Sequence, residues 1–199
     1  EQPAPWLWVR RQDHGSFNRN KSALDTPLQI GDKHFERGLG THAISEIVIR
    51  PTGLASEFTA QVGIDNNQDT KGQHGSAVFV VEADGQELFR SGICRGGQAP
   101  VAVKVNLAGA RRMVLRVLDG NDGPSWDQAD WAAAMLTMQD GKRLFLDEIP
   151  VLGVGPGLAT QVPFSFAYGG QASADLLPGW KIEAKREPGN PGREGREAR

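Results

Sequence analysis

The sequence is poor in the features that most readily betray a chemistry. One of its 199 residues is cysteine, Cys94, which excludes an intrachain disulfide framework and a cysteine-rich metal site. No apolar run approaches the roughly 20 residues that a membrane-spanning helix requires, so membrane insertion is not expected. Excess basic charge is missing too. The net charge is −2, and because six basic and four acidic side chains follow Trp180, residues 1–180 carry −4. Binding phosphate needs a basic footprint, so nucleic acid is not an expected partner. The four histidines, His14, His34, His42 and His74, form no HxxxH pair, which argues against a zinc enzyme. There is no GxSxG elbow to present a serine nucleophile. The chain starts at Glu1 without a signal peptide, as a processed or excised N-terminus would.

What is present is a succession of short β-type runs separated by turn signals. They lie at 6–11, 44–50, 57–64, 76–83, 86–91, 101–107, 112–118 and 131–138. This spacing predicts an antiparallel sandwich or barrel. Phe58, Ala60, Val62 and Ile64 share one face of their run, and Val101, Val103, Val105 and Leu107 share one face of theirs, the period of half-buried strands. Asp84-Gly85 predicts a tight type I′ hairpin, since both residues tolerate positive φ. "AGARR" (108–112) marks a second turn, and "GLG" (38–40) reads as a glycine-rich turn feeding the 44–50 strand. Beyond about Gln139 the chain becomes rich in glycine and proline. We therefore expect a domain over 1–140 and an irregular linker or stub over 141–199. "GVGPG" (153–157) lacks the strand, helix and βαβ unit of a phosphate-binding loop and reads as part of that linker.

The densest polar cluster is "LDGNDGPSWDQADWA" (118–132), with Asp119, Asp122, Asp127 and Asp130, Asn121, Trp126 and Trp131. An EF-hand is excluded, because counting from Asp119 the position of its invariant glycine holds Pro124. Two chemistries remain. Carboxylates at irregular spacing suit calcium, a hard and geometry-tolerant cation. They equally suit a sugar, whose hydroxyls take charge-assisted hydrogen bonds and whose C–H face stacks on a flat indole. Trp131 reads as the start of a core strand, and Trp126, in the loop, as the ligand platform.

Taken in order, "DTPLQIGDKHFERGLGTHAISEI", "FTAQVGIDN", "SAVFVVEADGQELFRSG" and "DQADWAAAML" resemble the NPCBM family of carbohydrate-binding modules over about residues 5–138. The resemblance implies an all-β, galactose-binding-like jelly-roll sandwich, an accessory domain of secreted glycoside hydrolases. His42, Ser45, Glu46, Asp65, Asp127, Asp130 and Trp131 match the family's signature positions. Gln128 stands where the family often has histidine, and Ile44 where it commonly has asparagine. His42 then either contacts sugar or bonds Asp127 or Asp130 and so pins the loops.

The resulting expectation is a noncatalytic module that binds galactose-type glycans through His42, Asp65, Trp126, Asp127 and Asp130. It would be covalently linked to a catalytic domain and located extracellularly or in the periplasm. By the same resemblance one structural calcium is expected, at loop 20–26 with Asp25 or at Asp119 and Asp122. "PFSFAYGGQASADLLPGW" (163–180) is similar to the segment joining such modules to α-galactosidase-like catalytic domains. The rival readings are a glycosidase using the aspartate cluster and an interaction sandwich with no sugar site.

Overall fold

Alternation of apolar and polar residues along the chain becomes alternation of burial. In the computed structural model, which describes residues 4–155, the strands in chain order are β1 (Trp6–Gln12), β2 (Asn18–Arg19), β3 (Leu28–Ile30), β4 (Lys33–Phe35), β5 (Gly38–His42), β6 (Ser45–Arg50), β7 (Ala55–Ile64) and β8 (Ser76–Ala83). They continue as β9 (Gln86–Arg90), β10 (Cys94–Arg95), β11 (Val101–Ala110), β12 (Met113–Asp119), β13 (Gln128–Met138), β14 (Arg143–Phe145) and β15 (Val151–Val154), with one 3-10 turn at Leu146–Glu148.

A seven-stranded sheet runs β10-β8-β12-β6-β1-β15, with β9 on β8. A six-stranded sheet runs β11-β7-β13-β5-β2, with β14 on β13, and β3 and β4 form a separate hairpin. All pairings are antiparallel except β1 with β15. This is the expected antiparallel β-sandwich. Its two inner faces meet at Trp131, fully buried on β13 against Phe58 of its own sheet (6.2 Å) and edge-on to Phe79 of the other (5.1 Å). Phe58, Ala60, Val62 and Ile64 are all buried on β7. On β11 the pattern holds for Val103, Val105 and Leu107, whereas Val101, the first residue of that strand, is 37% exposed.

Asp84 and Gly85 both have positive φ (46° and 88°), as a type I′ hairpin requires. The Asp84 carboxylate also accepts the backbone N–H groups of Arg111 and Arg112. It thereby fixes the corner at which the chain leaves the six-stranded sheet on β11 and enters the seven-stranded one on β12.

Two expectations need correction. "GLGTH" is strand β5 rather than a turn, and its glycines answer to other parts of the chain: a Cβ on Gly40 would lie 2.6 Å from the Ser22 backbone. Residues 141–155 are not the start of a linker. β14 pairs with β13, Leu146 and Ile149 are fully buried in the core, and β15 pairs with β1. Arg37 fastens this segment, donating to Asp147 at 2.7 Å and Glu148 at 2.6 Å while lying over the Phe145 ring. The first residues of "GVGPG" accordingly belong to β15, and the 163–180 segment lies outside the described residues.

Candidate functional site

Three stretches distant in sequence meet beside the loop that joins β12 to β13. Ser76, at the start of β8, is the pivot. Its N–H donates to Asp127 Oδ1 (2.7 Å), its hydroxyl to Asp122 Oδ1 (2.6 Å), and its carbonyl accepts the N–H of Gly120 (3.0 Å). The preceding residue, Gly75, packs so closely on the Trp126 carbonyl that a side chain there would collide with it, and its carbonyl accepts the N–H of Gly96. The 120–127 loop is therefore held to the strand it faces.

Trp126 projects from that loop with φ at 65°, in the left-handed region, and is 50% exposed. Among the described residues it is the one exposed aromatic side chain with large apolar surface. Its ring lies against His74 at 5.2 Å with an interplanar angle of 34°. Together with Gln73, Arg95, Asp122 and Ser125 the two rings line an open cleft of about 270 Å³. Arg95 and Asp122 approach only to 4.0 Å, and both are more than half exposed, so their polar atoms are available to a ligand. Ser76, His74, Gln73 and Arg95 were not singled out in the sequence. No motif marks them, and they join the aspartate loop only in the fold, Ser76 and Arg95 from β8 and β10 and Gln73 and His74 from the turn before β8.

Asp127 sits beneath this cleft, fully buried. One oxygen accepts the Ser76 N–H and the other has no partner among the described residues. Burial raises its carboxyl to about pKa 6, against the Ser76 hydrogen bond and with the charges of Asp122 and Asp119 adding to the effect. It anchors the Trp126 loop from below.

Asp65 and Asp130 lie elsewhere, on the outer side of the six-stranded sheet beneath the β3–β4 hairpin. Both have zero exposure, so a direct ligand contact does not fit either one. Asp65 accepts the N–H of Gln29 (3.0 Å) and the amide of Asn67 (2.7 Å). Neither oxygen of Asp130 meets an N–H or O–H donor, and its carboxyl faces that of Asp65. Desolvation first, then the charge of Asp65 and the hydrogen bond to it, push Asp130 well above the ordinary carboxylate range. A proton on Asp130 lets the two carboxyls bond, and the pair ties hairpin to sheet. His42 is 7% exposed, its Nδ1–H donates to the Ala43 carbonyl (2.7 Å), and burial lowers its pKa. That bond is local, to the next residue, and neither Asp127 nor Asp130 is the partner of the ring. The signature residue Glu46 is likewise engaged, by Arg10 and Arg116.

The two loops named for calcium hold Asp25 and Asp122 in other bonds. Asp25 pairs with Lys21 at 2.7 Å, Asp122 with Ser76, and among the described residues no three His, Cys, Asp or Glu side chains converge on a common point. In loop 20–26 the Ser22 carbonyl already accepts from Asp25 and Asn18, and that of Thr26 from Ser22. A cation there would have to draw on backbone oxygens.

Comparison with known proteins bears on the same region. Over 110 residues the chain is 41% identical to a Renibacterium salmoninarum protein named "Putative endo-alpha-N-acetylgalactosaminidase", covering 54% of this chain and 7% of that protein. Over 135 residues it is 34% identical to alpha-1,3-galactosidase B of Akkermansia muciniphila, covering 65% of this chain and 16% of the relative. The chain thus spans a small fraction of both curated relatives. Among solved structures, the CBM51 module of Clostridium perfringens GH95, in complex with methyl-galactose, superposes with a TM-score of 0.57 at 28% identity, covering 69% of this chain and 94% of the module. A structure of CBM51-2 with GlcNAc, from C. perfringens ZmpB, gives 0.58 at 26% identity, covering 68% of this chain and 29% of that one. The fold is that of a carbohydrate-binding module. With sequence and architecture agreeing over residues 4–137, the chain belongs to the NPCBM/NEW2 domain family.

Proposed function

We propose that this chain binds galactose-type glycans, without acting on them, in the cleft beside Trp126, and that it holds a covalently linked glycoside hydrolase near its substrate. The observation that carries this reading is the half-exposed indole backed by His74 and flanked by Asp122 and Arg95. A pyranose presents an apolar face to such a ring, while hydroxyls at its edge donate to Asp122 and accept from Arg95. The methyl-galactose bound by the GH95 module and the glycosidase names of the curated relatives support the sugar class. Tethering raises the effective concentration of substrate without a new chemical step. An extracellular or periplasmic location belongs to the same proposal, and detection of the parent protein in culture supernatant or periplasm would test it.

Trp126→Ala is expected to weaken binding of methyl-galactose and galactose-terminated oligosaccharides about tenfold or more, the loss typical of a central aromatic anchor, while leaving the melting temperature unchanged. Asp127→Ala is expected to weaken binding as well, but through the loop. It removes the acceptor of the Ser76 N–H and should cost about 1–3 kcal/mol of stability. Titration calorimetry and thermal unfolding separate the two effects, and unchanged affinity in Trp126→Ala would refute the site.

The glycosidase alternative needs two carboxyls facing each other across a cleft, roughly 5–10 Å apart. Here Asp119, Asp122 and Asp127 share one loop end, and Asp65 and Asp130 are sealed under a hairpin. Incubation with aryl α- and β-galactosides should release no aryl alcohol. Turnover lost in Asp127→Ala would reverse that conclusion.

Calcium is part of the proposal in one form: a cation held by backbone oxygens of loop 20–26, with Asp25 released from Lys21. A cation that binds the native state alone stabilises it by mass action. The melting temperature should fall on chelation and recover with calcium. No change, with no calcium found by elemental analysis, removes the metal.

A further inference from the structure

We propose that His74 is a positioning residue for glycan recognition, acting through Trp126; this rests on the Trp126 cleft being the sugar site. A half-exposed indole on a loop tip samples several orientations, and each must be given up when a sugar stacks on it, which costs affinity. In this structure the indole leans on the His74 imidazole, with centroids 5.2 Å apart and planes 34° from parallel, the range of an offset aromatic contact. The tryptophan thus leans on a ring of the same chain, and the two rings line the cleft together while half of Trp126 stays exposed.

A support works only if it is itself fixed, and His74 stands on a rigid mount. Its N–H donates to the Thr70 carbonyl (2.9 Å), as does that of Gln73. Thr70 is fully buried; its hydroxyl donates to the Asp65 carbonyl (2.6 Å), and its N–H donates to Asn67 Oδ1 (3.1 Å). Asn67 in turn donates its amide to the Asp65 carboxylate. On the other side, Gly96 packs against the His74 backbone so closely that a Cβ there would fall 2.8 Å from its nitrogen. The imidazole is therefore carried by a turn bonded to the end of β7, while the indole it supports is held through Asp127 and Ser76 at the start of β8. The two rings arrive from separately anchored backbones. Their contact sets the direction in which Trp126 faces.

The test uses the full chain, with methyl-galactose and a galactose-terminated oligosaccharide as probes. His74→Ala should weaken binding about tenfold with the melting temperature unchanged, and His74→Phe, which restores a flat ring, should bind within about twofold of the parent. A spectroscopic readout accompanies the affinities. The emission of Trp126, obtained by subtracting each variant's Trp126→Phe counterpart, should become more accessible to acrylamide in His74→Ala and not in His74→Phe. Trp126→Ala, measured in parallel, separates the two claims. If it abolishes binding while His74→Ala binds as the parent does, the positioning role is wrong and the site stands. If Trp126→Ala is without effect, the site itself falls and the positioning role with it. A His74→Phe variant as weak as His74→Ala would show that the imidazole acts by a hydrogen bond to the sugar, overturning the role proposed here.

Discussion

Replacing Gly40 by alanine is expected to destabilise the domain by about 3 kcal/mol, at the upper end of overpacking costs. Gly40 lies on β5, and the backbone of Lys21 and Ser22 is laid directly over it. A methyl group there would meet the Ser22 Cα and carbonyl carbon at 2.6 Å and collide with the Lys21 carbonyl. Backbone atoms cannot swing aside as a side-chain tip can, so the loop must lift. Lifting it unseats Ser22, which is fully buried, bonded through its hydroxyl to Thr26 (2.7 Å) and through its carbonyl to Asn18 (2.7 Å). It also opens the neighbouring strand, where Asp130 stands opposite Gly40, to water. Gly92→Ala is the control, since nothing lies within 4 Å of its Cβ position. Urea unfolding of both variants decides the matter: equal midpoints would mean that the loop is not seated on β5.

The second large effect concerns the buried carboxyl pair. Asp130→Ala is expected to cost about 1.5–3 kcal/mol, the worth of a hydrogen bond to a charged group, because the buried Asp65 carboxylate keeps Gln29 and Asn67 but loses the group that faces it. Asp130→Asn, whose amide still donates to Asp65, should stay within about 1 kcal/mol of the parent. The pH dependence follows from the direction of the shifts. Asp127 and Asp130 are both raised in the folded state above the ordinary aspartate value, about 3.9 in an unfolded chain. Between the unfolded and folded values the native state holds the extra protons, so stability declines as pH rises. Its contribution from these two groups is full below about pH 4. The Asp127 part is lost as pH passes about 6, and the Asp130 part as pH rises through its own raised pKa. Exposed ion pairs such as Asp13 with Arg11 are lowered instead and weaken only at more acid pH. Burial lowers the pKa of His42 and works the other way, adding stability as pH rises toward the ordinary histidine value, so the diagnostic is the difference between parent and Asp130→Asn from pH 4 to 8: the parent should lose stability relative to the variant as pH rises. A difference that stays constant across that interval would show that Asp130 does not carry a proton in the native state.

Both effects turn on residues whose importance the sequence signalled without revealing its cause. The eight expected β-runs became β1, β6, β7, β8, β9, β11, β12 and β13, because strands with one buried face carry their period in their own residues. The Asp84-Gly85 turn was legible for the same reason, and so was the Asp and Trp loop of the candidate site, which is contiguous. What the local pattern does not contain is any partner. β2, β3, β4, β10, β14 and β15 are two to four residues long and exist because a neighbouring strand takes their hydrogen bonds. Gly40 of β5 makes sense only beneath a loop some twenty residues earlier, and Gly38 only against the backbone of β13. Asp65 and Asp130 stood out as signature residues, but their pairing under the hairpin depends on β7 lying beside β13. The cleft is the clearest case: Trp126 and Asp122 were readable in one loop, whereas Ser76 and Arg95 reach them from β8 and β10, and His74 from the turn between β7 and β8, only when the sheets close. Periodicity and composition are properties of neighbours along the chain; convergence is a property of neighbours in space, and tertiary packing alone supplies it.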